Sequence, residues 1–343
     1  MTVRVALVGY GSAGRGIHAP LLVAAGTAPS AVVTANPERV AQVRADLPDA
    51  DVVPDLAAAL DTAPDVVVLA SPSGVHAEQV RACVAAGVPV VVDKPLAVDG
   101  AQARAVTELA AAAGVPLTVF QNRRWDAENL TLRRLLIDGA LGQVHRFERR
   151  WERWRPVPKR RWREQAAADQ GGGILLDLHT HLVDGAMQFF GPVEQVYAET
   201  SAWTTPAEDE AFLALRHTGA VTSHLTASSV AGAPGPRTRV LGAAAAYVVT
   251  TFESEPAAFG GFDDLPGHCG WLVRGQEREP VPAAPGAHVD FYRQVAAALA
   301  EPDPGRRQAA MPVDPWDAVH VLQVLDAARV SAATGDVVRL GSR

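Results

Sequence analysis

At 343 residues, 48% hydrophobic and 20% charged, the chain is long enough for two domains and needs no covalent staples. A net charge of −7 argues against general binding to nucleic acid or anionic membrane, and no apolar run reaches the roughly 18 residues of a membrane span. Cys83 and Cys269 form no CxxC pair, which excludes a disulfide scaffold, a zinc ribbon and a thioredoxin-like site.

The opening segment, MTVRVALVGYG, reads directly as strand and turn with no signal peptide ahead of it, so a reduced, cytoplasmic setting is expected. Short apolar runs then alternate with helix-like stretches. Val3–Val8, Ala31–Thr34, Val66–Ala70, Val88–Val92 and Leu117–Phe120 are nearly all apolar, as suits parallel strands covered on both faces. Between them, Glu38–Asp46, Leu56–Asp61, His76–Ala86 and Gly100–Ala113 carry Ala-rich helical patterns. Gly87 and Gly114 stand where a C′ glycine closes a helix. The repeated strand–helix–strand units predict an α/β Rossmann domain, a doubly wound parallel sheet, over residues 1–121.

The rhythm changes after Gln121. Glu128–Asp138 reads as a helix, Gln143–Trp151 as a strand, and Gly173–Phe190 as a long helix after a basic, Pro-interrupted loop. Val193–Trp203, Ala211–His217, Val221–Ser229, Arg237–Leu241 and Ala246–Phe252 read as a run of antiparallel strands. Pro256–Gly286 is rich in Gly and Pro and is expected to be irregular. Helices resume at Val289–Leu299 and Pro315–Ala333, and Val337–Leu340 is a last short strand. Residues 122–343 are thus expected to form an α+β substrate and oligomerisation domain with a mostly antiparallel open sheet. Its final helix is a candidate to pack back on the first domain.

Gly9-Tyr10-Gly11-Ser12-Ala13-Gly14 follows the first strand and opens a helix. One glycine makes the tight turn, the next lets backbone approach a pyrophosphate, and the third lets helix pack on strand. Strand, glycines, helix and second strand occur in the order a dinucleotide site requires. An NAD-preferring site carries an acid at the end of the second strand, to hold the ribose 2′-hydroxyl. Here that place reads Thr34-Ala35-Asn36, with Arg39 just beyond, which favours NADP while leaving NAD possible.

Three further segments carry a family resemblance. Ser71-Pro72-Ser73-Gly74-Val75-His76 and Val91-Val92-Asp93-Lys94-Pro95 each follow a strand, and Gly171-Gly172-Gly173 opens a helix bearing Asp177 and His181. Together with the glycine turn they resemble the Gfo/Idh/MocA oxidoreductases over essentially the whole chain. The resemblance implies that Ser71, Pro72, His76, Asp93 and Lys94 border the cofactor. It also implies that Lys94 and His181 do the proton and charge work of catalysis, with Asp177 orienting His181. The chemistry agrees: dehydrogenation of an alcohol needs a base for the hydroxyl proton and a cation for the developing alkoxide. His179 stands where the family usually has glycine and creates Asp-x-His-x-His. On a helix, i and i+2 point to different faces, so no metal site is expected.

On the substrate side, Gln121-Asn122-Arg123-Arg124-Trp125-Asp126 opens the second domain, with Asn122, Arg124 and Trp125 as candidate substrate neighbours. The stretch Arg149–Arg163 interleaves Trp151, Trp154 and Trp162 with arginines and Lys159. It reads either as a solvated or subunit-contact loop or as a sugar-binding wall in which Arg161 and Trp162 face a polyol. These segments resemble the NADP-dependent scyllo-inositol dehydrogenase branch of the family. That implies reversible hydride transfer between NADP(H) and a secondary hydroxyl of a cyclic polyol or sugar, in a homodimer or homotetramer with no nucleic-acid or membrane partner. The alternatives are action on another carbohydrate and a non-catalytic dinucleotide-sensing protein.

Overall fold

A computed structural model describes residues 3–159, 162–250 and 264–341. The chain divides into two compact units, Met1–Asn122 with His288–Val319, and Arg123–Ala287 with His320–Arg343.

In the first unit, β1 (Val5–Val8), β2 (Pro29–Val33), β3 (Asp51–Val53), β4 (Val66–Leu69), β5 (Val90–Asp93) and β6 (Leu117–Phe120) form one parallel sheet, ordered β3-β2-β1-β4-β5-β6. β1, β4, β5 and β6 are buried at every position, which is why their sequences show no alternation. β3 leaves no such signal, being three residues at the sheet edge with Asp51 exposed. The helices are α1 (Ala19–Ala24), α2 (Pro37–Asp46), α3 (Leu56–Asp61), α4 (His76–Ala85) and α5 (Gly100–Ala113). Asn36, Asp55 and Asp99 cap α2, α3 and α5 by accepting from backbone N–H groups. A π-helical stretch, Gly14–His18, leads into α1. The strand order reverses between β1 and β4, the switch point at which open α/β sheets bind ligands beyond their carboxyl ends.

The second unit holds α6 (Ala127–Ile137), β7 (Val144–Glu152), α7 (Trp162–Gln165) and α8 (Thr180–Phe190), the last entered through a π-helical stretch at Leu175–His179. β8 (Val193–Ser201), β9 (Glu210–His217), β10 (Thr222–Ser228), β11 (Thr238–Gly242), β12 (Ala246–Val249), β13 (His268–Arg274) and β14 (Glu277–Pro282) complete most of a nine-stranded sheet. β9 and β10 alternate buried with half-buried residues, the mark of a sheet packed on one face. The sheet is mostly antiparallel, as expected, with one parallel pair: β7 lies beside β10, Arg149 opposite Leu225, because α8 and the β8–β9 pair intervene in the chain. One expectation is corrected: the stretch expected to be irregular contains the β13–β14 hairpin. Gly270 (φ 74°) sits at a register shift and Pro280 and Pro282 lie in the edge strand, where a ladder tolerates such residues. Residues 251–263, with the end of the expected Ala246–Phe252 strand, lie outside the described residues.

α9 (Val289–Leu299) and α10 (Pro304–Ala310) return to the first unit. Gln308 of α10 covers the edge of β6, exchanging hydrogen bonds with Leu117 N–H (2.8 Å) and Leu117 O (3.1 Å). α11 (Pro315–Thr334) runs from the first unit into the second, where β15 (Val338–Arg339) pairs with β8. Among the described residues no helix is long and apolar enough to cross a membrane.

Candidate active site

The glycine turn has a separate reason at each glycine. Gly9 adopts φ 95°, and a Cβ there would lie 2.9 Å from Ala70 O. A Cβ on Gly14 would overlap Gly9 O, so the helix can start this close to the strand only with glycine. Gly11 meets nothing but the Arg39 guanidinium, 3.8 Å from the position of a Cβ, and leaves its backbone open to a ligand. An open cavity of about 610 Å³ lies alongside, lined by Tyr10, Ser12, Arg15, Asn36 and Arg39 among others. Arg15 is tied to Asp46 (2.6 Å), which also accepts from Tyr10 Oη (3.1 Å); the guanidinium holds the Asp46 carboxyl below its ordinary range. Asn36 Oδ1 caps α2 through Arg39 N–H (3.1 Å), and Glu38, on the cavity rim, accepts from Gln42 Nε2 (3.3 Å). The open Gly11 backbone and the Gly9–Gly14 approach fit a dinucleotide diphosphate.

Further along the same sheet edge, Ser71 Oγ donates to Gln79 Oε1 (2.5 Å), while Pro72 stays exposed ahead of α4. His76 is buried and bridges two loops, its Nε2 2.9 Å from Ser71 O and its Nδ1 2.8 Å from Pro95 O. That bridge fixes the turn following Lys94. Asp93 ends β5 opposite Phe120 of β6, and its Oδ1 accepts the Lys94 backbone N–H (2.9 Å). Burial pushes the Asp93 carboxyl up, but His18, Lys94 and His76 outweigh it and hold it below the ordinary value, as a carboxylate. Lys94 itself is half-buried at the carboxyl end of the strand. Asn122 is buried, with Nδ2 3.4 Å from His288 Nδ1.

In the second unit, Asp177 and His181 sit on either side of the junction where the π-helical stretch passes into α8. Gly172 and Gly173 before them make room. Gly173 takes φ 91°, and a Cβ there would overlap the Glu208 carboxylate, which accepts the backbone N–H of Leu175. Burial raises the Glu208 carboxyl above its ordinary value. Asp177, Glu208, Thr204, Thr205, Arg153 and Arg155 help line an open cavity. His181 stacks on Trp151, with ring centroids 5.7 Å apart and 30° between planes. Trp151 is itself ringed by Arg123, Arg153 and Arg237, each 5.1 Å from its centroid. His179 is fully buried, with Nε2 3.5 Å from Leu225 O, and burial lowers it to about 4, so it packs as a neutral ring. Arg124 forms a two-pronged ion pair with Asp184 of α8 (Nε–Oδ2 3.0 Å, Nη2–Oδ1 2.5 Å) and thereby ties the Asn122–Trp125 turn to the helix bearing His181. Trp125 is half-buried in that turn. Arg160, Arg161 and the side chains of Trp162 and Arg163 lie outside the described residues. Glu208 and His18 carry no signal of their own in the sequence, because their partners come from distant segments.

Residues 3–121 match an oxidoreductase family with an NAD-binding Rossmann fold, GFO_IDH_MocA, and residues 129–248 match its C-terminal domain. The NADP(+)-dependent scyllo-inositol 2-dehydrogenase IolW of Bacillus subtilis is 30% identical over 96% of this chain and 94% of its own. The chain belongs to the Gfo/Idh/MocA family. The myo-inositol dehydrogenase Hyg17 of Streptomyces leeuwenhoekii, another similar protein, is 31% identical over 59% of this chain and 60% of its own. The solved structure of the oxidoreductase YPO2259 from Yersinia pestis superposes with a TM-score of 0.84 at 31% identity, covering 100% of this chain and 98% of that one. As a Gfo/Idh/MocA protein, the chain is an NAD(P)-binding oxidoreductase acting on CH–OH groups.

Proposed function

We propose that this enzyme transfers a hydride reversibly between NADP(H) and a secondary hydroxyl of a cyclic polyol or sugar of the scyllo-inositol type. The observation that carries the reading is Lys94. Of the 31 basic residues only Lys94 and Lys159 are lysines. An arginine spreads its charge over a broad planar fork, whereas a lysine ammonium is a compact point charge that can sit against a single oxygen. A chain that fills nearly every basic position with arginine thus keeps an amine at the carboxyl end of β5, beside the Asp93 carboxylate.

The nicotinamide, when bound, accepts or supplies the hydride. The chain's own residues do the rest. Lys94 holds the charge that develops on the substrate oxygen, and His181, seated against Trp151, accepts the hydroxyl proton. Asp177 serves the imidazole from the preceding turn and lines the cavity in which hydroxyls would bind. The mix of carboxylates, threonine hydroxyls and guanidiniums around that cavity suits a ligand that donates and accepts at every carbon. NADP is preferred because β2 ends without an acid while Arg39 lies over Gly11. Gly9 to Gly14, Asn36 and Arg39 surround the adenosine side, and Ser71, Pro72 and His76 shape the loops around the rest.

The test is NADP+ reduction across inositol isomers and common sugars, with NAD+ in parallel and Lys94→Arg as the variant. Scyllo-inositol turnover should fall by at least about a hundredfold in the variant while NADPH binding persists. Wild-type turnover in Lys94→Arg, or no turnover of any polyol by the native enzyme, would overturn the reading.

A further inference from the structure

The first unit buries an ordered line of polar side chains behind Lys94. Tyr292 on α9 is 2% exposed, and His18, at the end of the π-helical stretch before α1, is 0% exposed. Tyr292 Oη lies 2.5 Å from His18 Nδ1. His18 Nε2 lies 3.7 Å from Asp93 Oδ1, the same oxygen that accepts the Lys94 backbone N–H. Phe120 flanks the imidazole, with ring centroids 4.6 Å apart, and Phe291 and Tyr292 close the cluster around Phe120 at 4.9 and 5.6 Å.

The inventory of protons decides how this line is wired. Burial, with the Asp93 charge added, raises the Tyr292 phenol well above its ordinary value, so the hydroxyl is a donor with one proton. Given to His18 Nδ1, that proton leaves the ring's own hydrogen on Nε2, facing the Asp93 carboxylate. The other tautomer would set the Nε2 lone pair against a buried anion. Polar groups in so dry a place are costly unless each finds a partner, and the Nε2-protonated ring is the arrangement that suits all three.

We propose that Tyr292 and His18 are positioning residues for Lys94. The phenol fixes the Nε2-protonated tautomer of His18, and His18 orients the Asp93 carboxylate that holds the lysine at the end of β5. The inference rests on the reading of Lys94 as the reacting amine. It assigns work to a histidine next to the glycine turn and to a tyrosine 274 residues away. Displacing a reacting group by an ångström can cost about a hundredfold in rate, so a partial loosening of Lys94 is expected to be visible in kcat.

The first measurement is nitrogen NMR of the His18 ring in the full-length protein. The native enzyme should carry its proton on Nε2, and Tyr292→Phe, which keeps the ring and removes one oxygen, should shift the proton toward Nδ1. In the same variant kcat should fall about tenfold with the KM for NADP+ unchanged. His18→Gln can accept from Tyr292 and donate to Asp93, so it should retain severalfold more turnover than His18→Leu. Nδ1 protonation in the native enzyme, unaltered kcat in Tyr292→Phe, or no advantage of glutamine over leucine would each overturn the proposal. Full turnover in Lys94→Arg would instead remove the role of the lysine, and with it the last link of the line. The tautomer measurement separates that failure from a failure of the Tyr292–His18–Asp93 contacts.

Discussion

Replacing Glu128 with glutamine keeps its shape and removes its charge, at a place where the charge is heavily used. Glu128 on α6 is 7% exposed, with Arg149 Nη2 3.2 Å from Oε1 and Arg237 Nε 3.4 Å from Oε2. Thr238 Oγ1 also donates to Oε1. Arg149, 2% exposed, spends its other nitrogens on Thr238 Oγ1 (2.9 Å) and Asn129 Oδ1 (2.7 Å). Burial pushes the Glu128 carboxyl up, but the two guanidiniums outweigh it and hold it below its ordinary value. Burial lowers Arg237 to about 10, which leaves it charged at neutral pH. Glu128→Gln therefore strands two buried cations on a neutral amide. Removing one partner of a buried pair costs about 3–5 kcal/mol. At about 2–4 °C per kcal/mol for a unit of this size, the midpoint of the second unit should fall by roughly 10 °C. Calorimetry with Glu128→Gln and the double variant Glu128→Gln/Arg237→Met reads this directly, and the double variant should recover part of the loss. A depressed carboxyl stabilises above its unfolded value near 4.3 and stops doing so as pH falls through the folded value. The gap between native and variant should accordingly close in acid. A midpoint within about 2 °C of native at neutral pH would refute the reasoning.

Two further predictions concern the first unit. Arg39→Glu should raise the KM for NADP+ about tenfold to a hundredfold, the value of one charge-assisted contact, and leave that for NAD+ little changed; an unaltered NADP+/NAD+ ratio would count against Arg39 as the 2′-phosphate contact. Gln121 is 1% exposed, and neither amide atom has a hydrogen-bond partner among the described residues. Gln121→Leu should stabilise the cofactor-free protein by about 1–3 kcal/mol, seen as a higher melting midpoint, and a lower midpoint would contradict it.

The parallel sheet is legible because its central strands are buried on both faces and so write themselves as unbroken valine runs, as in Val66–Leu69 and Val90–Asp93. The glycine turn is legible for a different reason: Gly9 and Gly14 answer backbone constraints that no other residue meets as well, and Gly11 between them leaves its backbone open. The β13–β14 hairpin is not legible, because Gly270, Pro280 and Pro282 are breakers in an interior strand and harmless at a bulge or an edge. Sequence cannot say in advance which of these a strand will be. Arg124 shows the same limit in the site: its charge is plain from the sequence, but its commitment to Asp184, sixty residues on, is a fact of packing. The Tyr292–His18 contact is still more distant, and nothing local in either segment announces it.

The first unit is assembled from two separated stretches of chain, and that has a consequence for how the protein is made. A ribosome releases Met1–Asn122, then residues 123–287, and only afterwards the helix that carries Phe291 and Tyr292. At synthesis rates of about 5–20 residues per second, the nascent sheet waits roughly 10–30 s for its closing segment. Through that interval Phe120 lacks Phe291 and Tyr292, and the β6 edge lacks Gln308. Phe120 and that open strand edge are the surfaces a chaperone would have to shield, and the Tyr292–His18 contact can form only once most of the chain has been translated.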